Sequence, residues 1–243
     1  MKNIIYYLID ERQLGKKEDE RFYLYKDGKW LEDSDLYILG KLNGYDPYEP
    51  DDSPYKWGST SVMDEIKEID EKQAREYMKQ VILLNGPSSS GKSTLALALQ
   101  KQISDHSNMK YEIISIDDLL KMSVNEAIYE DDVFRISEDL CRKALKLLNE
   151  NDGVIIDHVI TSERIFVQLK DILSAYPVKT VHVTCPLEVL IRRERERGNR
   201  CPGSAQASAE YLFPKDDYDL TIDTGETSPE ENSSIIYKAF FEG

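Results

Sequence analysis

The rhythm of apolar and polar positions changes near residue 80. Before it, residues 3–9 and 21–25 carry short apolar runs that predict strands. Directly after the second run, Lys26-Asp27-Gly28-Lys29 predicts a tight hairpin turn, because Asp-Gly tolerates the positive φ such turns need. Residues 46–61 are polar and marked by Pro47, Pro50 and Pro54, which predicts a loop. Residues 64–79 are rich in helix formers, with Ile66, Ile69 and Ala74 available for an inner face. The expectation for residues 1–78 is a small α+β module ending in that helix.

From Val81 onward, short apolar runs alternate with helical stripes. Residues 81–84, 111–116, 153–157, 178–184 and 218–224 predict five strands. The first is apolar throughout, as a strand buried on both faces should be. Between them, Leu95, Leu99 and Ile103 recur at helical spacing. Ser137 is placed to cap a helix with the stripe Leu140, Ala144, Leu147 and Leu148. Ile165, Leu169, Ile172 and Leu173 form a further stripe, and Pro186 suits a first helical turn. Ser228-Pro229-Glu230-Glu231 suits the start of a last helix burying Ile235, Ile236, Ala239 and Phe240. Strands alternating with helices imply βαβ units and a parallel sheet. The domain boundaries expected are 1–78 and 79–243. No internal repeat or low-complexity tract interrupts them.

Composition narrows the classes. The 243 residues carry a formal net charge of -15, with 40% hydrophobic and 32% charged residues. So acidic a chain is poorly suited to wrap nucleic acid or an anionic membrane, both polyanions. No apolar stretch approaches the ~20 residues that a membrane span requires. The apolar start at Asn3–Ile9 runs into Asp10-Glu11-Arg12 with no small-residue cleavage site, so it reads as a strand rather than a signal peptide. Cys141, Cys185 and Cys201 are odd in number and form no CxxC; they read as free thiols, with no zinc site. A cytoplasmic protein is expected.

Gly86-Pro87-Ser88-Ser89-Ser90-Gly91-Lys92-Ser93-Thr94 fits G-x-x-x-x-G-K-[ST] at every fixed position, between an apolar strand and a helical stripe. Glycines let the backbone curl so that several N–H groups point at one phosphate. The positive end of the following helix adds to the attraction. Lys92 can then reach the β- and γ-phosphates, and the Ser93 hydroxyl can hold Mg²⁺. Gly86, Ser88, Ser89, Ser90, Gly91, Lys92, Ser93 and Thr94 are accordingly the nucleotide-binding candidates. The fold class expected is α/β: a P-loop NTPase with a central, mostly parallel five-stranded sheet flanked by helices, preceded by the small α+β module.

In open parallel sheets the ligand lies at the carboxyl ends of the strands. Asp117 and Asp118 follow the second strand of this series, and Asp157 ends the third. A carboxylate there can take a proton from a substrate hydroxyl, hold Mg²⁺ through water, or orient the substrate. Asp117 and Asp157 are the candidates for substrate contact. For the first pair the alternative is a helix cap, and for Asp157 a structural anchor or a Walker-B-like role. His158 reads as a packed histidine. Residues 192–200, Arg-Arg-Glu-Arg-Glu-Arg-Gly-Asn-Arg, hold five arginines. Glu–Arg pairing along a solvated helix face accounts for Arg192, Glu194, Arg195 and Glu196. Arg197 and Arg200 flank Gly198-Asn199, where the helix should stop, and suit a lid closing on the transferring phosphoryl group. Arg193, one turn before Arg197, joins them.

These pieces together resemble the chloramphenicol phosphotransferase-like family of P-loop kinases. The resemblance rests on Leu84-Asn85-Gly86 through Ser93, Ile116-Asp117, Ile155-Ile156-Asp157, Arg193-Glu194 through Arg197-Gly198-Asn199-Arg200, and Tyr218-Asp219 through Ile222-Asp223-Thr224. It covers about two thirds of the chain. It implies ATP- and Mg²⁺-dependent phosphorylation of a hydroxyl, Asp117 as general base, and Arg197 and Arg200 as lid contacts to the nucleotide phosphates. Asn199 and Phe213 depart from the family's frequent Asp and His, and residues 122–134, where acceptor contacts are expected, carry no matching motif. The expectation is therefore a kinase acting on a small-molecule hydroxyl, with no nucleic acid or membrane partner. A nucleoside or nucleotide kinase is the alternative on the same scaffold. A non-catalytic nucleotide-binding protein, gripping a protein partner through residues 1–78, is the alternative from another class.

Overall fold

The computed structural model describes residues 4–26, 28–120, 129–198 and 201–242. They form two compact units, one of residues 1–78 with 241–243 and one of residues 79–240.

The first unit is an antiparallel sheet of β1 (Ile4–Ile9), β2 (Gln13–Glu18), β3 (Arg21–Lys26), β4 (Lys29–Glu32) and β5 (Ile66–Ile69), in the order β4-β3-β2-β1-β5. Its helices are α1 (Tyr37–Leu42), α2 (Thr60–Met63) and α3 (Glu71–Met78). Lys26 pairs with Lys29 across the expected two-residue turn, where Gly28 has φ 84; Asp27 lies outside the described residues. Tyr7, Ile9, Leu24, Ile38 and Ile66 make the core.

Strand β2, the short helices α1 and α2, and the stretch 64–79 differ from the sequence expectation. Strand β2 carries Leu14 as its single large apolar residue, yet it is hydrogen-bonded on both sides, to β1 and β3. Gly15 belongs there because a Cβ would lie 2.8 Å from Ile38 Cδ1. The helix expected over 64–79 is corrected to a strand followed by a helix. Ile66 pairs with Ile9 and Ile69 with Tyr6, so pairing to β1 takes residues 66–69 out of the expected helix. Helix α3 then starts behind a reciprocal cap, with Gln73 N–H donating to Asp70 Oδ1 at 2.7 Å and Asp70 N–H to Gln73 Oε1 at 3.1 Å.

The second unit alternates β6 (Gln80–Asn85), α4 (Lys92–His106), β7 (Tyr111–Ser115), α5 (Ile116–Leu120), α6 (Glu130–Leu148), β8 (Gly153–His158), α7 (Glu163–Ile172), β9 (Val178–Thr184), α8 (Leu187–Arg197), α9 (Ser204–Tyr211), β10 (Leu220–Asp223) and α10 (Pro229–Phe241). Every ladder of its five-stranded sheet is parallel, in the order β10-β9-β6-β8-β7. All six residues of the central β6 are buried. Residues of α6 and α7, among them Leu140, Ala144, Ile165 and Leu169, pack with Val81, Leu83, Val154 and Ile156 of the sheet. This is the expected α/β architecture, a parallel five-stranded sheet flanked by helices. The crevice sits at the carboxyl end of β6, between its neighbours β8 and β9.

Helix α6 starts at Glu130, seven residues before the expected cap at Ser137. Glu130, Asp131 and Asp132 fill its first turn, where carboxylates suit the helix dipole, and Val133 and Phe134 extend the inner stripe. In α10, Ile235 is exposed and Tyr237 takes a buried position in its place. The start of α10 is as expected: Ser228 N–H donates to Glu231 Oε2 at 2.9 Å and Glu231 N–H to Ser228 Oγ at 3.2 Å. Cys141 and Cys185 are buried, Cys201 is exposed, and all three are free. Among the described residues no helix is long and apolar enough to cross a membrane.

Candidate active site

The loop leaving β6 is shaped by two constraints. At Gly86 a Cβ would stand 2.0 Å from the Val183 carbonyl oxygen, so only glycine fits beside β9. Ser89 and Gly91 then adopt φ 66 and φ 90, curling the chain into the N-terminus of the fifteen-residue α4. The Lys92 ammonium, 6% exposed, donates to the carbonyls of Gly86 at 3.0 Å and Pro87 at 2.9 Å. It lies 3.9 Å from Asp157 Oδ1, while Ser93 Oγ donates to Asp157 Oδ2 at 2.6 Å. The hydroxyls of Ser89 and Ser90 are buried without a hydrogen-bond partner. A curled loop at a helix N-terminus, an inward ammonium and two orphaned hydroxyls fit a polyphosphate. Ser93 and Asp157 supply the hard oxygen donors that suit Mg²⁺. Among the described residues no three His, Cys, Asp or Glu side chains cluster as a metal site, so an ion here would take its other ligands from phosphate and water.

Asp157, expected as a substrate contact, is thus engaged with the phosphate loop. Asp117 stands in the first turn of α5, its N–H donating to Ser115 Oγ at 3.3 Å, while Asp118 is exposed. A cavity of about 1080 Å³ is lined by Lys92, Ser93, Thr94, Asp117, Asp157, Arg193 and Arg197 together. Ile116, Leu120, Val133 and Val159, with the hydroxyl residues Thr161 and Ser162, also line it. Glu130 also lines the cavity, bound by Arg164 at 2.6 Å. Residues 122–128, part of the stretch expected to hold acceptor contacts, lie outside the described residues, as does Arg200.

The arginines expected in a lid are placed differently. Arg193 is held by Thr224, its Nη1 donating to Oγ1 at 3.0 Å and its Nη2 to the carbonyl at 2.7 Å. Thr224 Oγ1 donates in turn to the Ser90 carbonyl at 2.6 Å, which ties Arg193 to the phosphate loop. Gly198 ends α8 in a left-handed C-cap with φ 64, where the helix was expected to stop. Arg192 and Glu196 approach to 3.9 Å on the solvated face. Glu194, expected on that same face, is buried, because its carboxylate caps α9 rather than an arginine.

His158 is fully buried, with Nε2 2.8 Å from Ser137 Oγ, and burial pushes its pKa down to about 4, so it is neutral at physiological pH. Sequence reasoning missed Asn85 as a structural hub. Its side chain donates to the Phe213 carbonyl and to Tyr218 Oη, both at 2.8 Å, and accepts the Ile160 N–H at 2.9 Å. The one signal in the sequence was a polar residue closing an apolar strand. Also missed was Ser208 of α9, whose Oγ accepts the Ser88 N–H at 2.9 Å.

Residues 79–241 match the model of the family described as chloramphenicol phosphotransferase-like protein. Two Mycobacterium tuberculosis proteins, from strains H37Rv and CDC 1551, are each 26% identical over 184 residues. The alignment covers 66% of this chain and 82% of theirs, and both are named as candidate O-phosphotransferases. Among solved structures, the Mycobacterium tuberculosis APS kinase in complex with AMPPNP and APS superposes with a TM-score of 0.53 at 16% identity, over 66% of this chain and 96% of that one. A gluconokinase from Sinorhizobium meliloti 1021 gives 0.53 at 19%, over 66% and 91%. The likeness to these structures establishes the fold. The family match and the named relatives support an enzyme of the phosphotransferase class.

Proposed function

The chain belongs to the chloramphenicol phosphotransferase-like family, and from that premise we propose that it transfers the γ-phosphoryl group of ATP to a hydroxyl of a small molecule. The observation that carries the reading is that Lys92, Ser93, Asp157, Asp117 and two arginines line one cavity at the end of the central strand. In the proposed reaction the phosphate loop amides and Lys92 hold the β- and γ-phosphates. Ser93, with Asp157 beside it, would hold Mg²⁺, which would neutralise phosphate charge when bound. Asp117 orients the acceptor hydroxyl and takes its proton as that oxygen bonds to the γ-phosphorus and the bond to the β–γ bridging oxygen breaks, releasing ADP. Arg197 and Arg200 offset the charge of the transferring group, and Arg193 anchors the lid to the loop through Thr224. The alternative of a partner-binding protein is favoured by one observation, that Tyr48, Tyr55 and Trp57 of the first unit are exposed at 95%, 74% and 60%.

The test is incubation with γ-labelled ATP, Mg²⁺ and a library of hydroxylated metabolites and antibiotics, with Lys92→Ala and Asp117→Ala as controls. Label on one compound, lost in both variants, is expected. ATP binding without transfer to any library member, or transfer that survives Asp117→Ala, would count against this mechanism and turn attention to a protein partner of residues 1–78.

A further inference from the structure

Residue 194 lies within a Glu–Arg alternation that predicts a solvated side chain, yet Glu194 is 6% exposed. Oε2 accepts the N–H of Gly203 at 2.9 Å, and Oε1 accepts that of Ala205 at 2.7 Å. The main chain of the same residue acts at the other end of the intervening segment, its carbonyl accepting the Gly198 N–H at 3.2 Å. One residue of α8 therefore accepts amides from Gly198, where α8 ends, and from Gly203 and Ala205, where α9 starts. Gly203 is the N-cap of α9, with φ 90 and no side chain to cap with. Glu194 supplies the missing acceptor from another helix, and its charge sits at the positive end of α9. A buried carboxylate is costly unless its oxygens are hydrogen-bonded, and here each oxygen has an amide.

The junction joins two helices that both line the cavity. Arg193 and Arg197, on the same helix as Glu194, line the cavity. On the far side of the junction, α9 presents Ser208, whose hydroxyl accepts the Ser88 N–H of the phosphate loop and donates to the Ala205 carbonyl at 3.1 Å. The angle between α8 and α9 thus sets where the arginines stand relative to the loop. We propose that Glu194 is a positioning residue for Arg193 and Arg197: by capping α9 from α8 it holds these two arginines in register with the γ-phosphate. The inference rests on the phosphotransfer reading above.

Glu194→Gln keeps the volume but sets an NH₂ donor against one of the two amides. Glu194→Ala removes both acceptors and decides the matter if the first variant does not fold by circular dichroism. Two readouts apply to the full chain. Binding of Mg²⁺–AMPPNP should weaken about tenfold, the order expected for one charged hydrogen bond, while ADP binding should change less than about twofold. Trypsin cleavage after Arg195 and Arg197 should accelerate by a similar factor, and AMPPNP should no longer protect the site. A purely structural Glu194 would lower the melting temperature while leaving the AMPPNP-to-ADP affinity ratio at its wild-type value, and that result overturns the proposal. A wild-type protein that binds neither nucleotide overturns the phosphotransfer reading itself, so the two failures are distinct.

Discussion

His158 makes the second unit acid-labile in a calculable way. Burial holds its pKa at about 4 in the fold, against 6.5 in an unfolded chain. Between these values the unfolded chain takes up a proton that the fold refuses. Because the folded pKa is depressed, the stability is complete above pH 6.5 and is lost as pH falls toward 4. One pH unit in that window is worth about 1.4 kcal/mol, so the whole window is worth roughly 3 kcal/mol. His158→Gln isolates the effect, because glutamine can keep a hydrogen bond to Ser137 and does not titrate, while the carboxylates titrate alike in both proteins. The assay is urea unfolding of both proteins from about pH 7 to about pH 5. It is monitored by far-UV circular dichroism, because both tryptophans, Trp30 and Trp57, lie in the first unit. Wild type should lose about 2 kcal/mol relative to the variant over that range. Stability curves that stay parallel would show that His158 is either protonated in the fold or exposed to water, and the reasoning would fail.

Other perturbations probe the loop and its supports. Asn85→Leu leaves the Ile160 N–H without its acceptor in a fully buried setting and should lower unfolding stability by about 3 kcal/mol in the same urea assay. Gly86→Ala drives a methyl into the Val183 carbonyl, which cannot yield without displacing β9. Mg²⁺–AMPPNP affinity should fall by about a hundredfold or more in a calorimetric titration, on the view that phosphate binding needs this backbone path. Asp157→Asn keeps an acceptor for Ser93 but removes the charge beside Lys92. Its phosphoryl transfer should fall by about a hundredfold, with AMPPNP binding in EDTA little changed, and equal losses in both would contradict a role on the metal side.

What could be read from the chain, and what could not, divides by the range of the interaction that decides each element. The phosphate loop was legible because its requirement is local: a curled backbone beside a neighbouring strand demands glycine, lysine and serine at fixed offsets. The central strands of the parallel sheet were legible because burial on both faces writes unbroken apolar runs. β2 and β5 were not, since each is held by ladder partners rather than by its own pattern, and a run such as Ile66–Ile69 serves a strand as well as a helix. Helix α9 has no stripe, only Ala205 buried among small and polar residues, and what specifies its start is Glu194, nine residues before Gly203. Salt-bridge spacing on α8 argued for a surface glutamate, and a tertiary cap outweighed it.

The direction of Asp157 was recoverable by an argument the apolar runs already contained. Side chains alternate along a strand, and Val154 and Ile156 face the cluster of α6 and α7. His158, in phase with them, must turn the same way, and it meets Ser137 of α6. Asp157, out of phase, must turn to the opposite face, where it meets Ser93 at the start of α4. Two adjacent polar residues at one strand end are thus committed to different work by period two alone. One packs against Ser137 of α6, and the other stands at the phosphate loop.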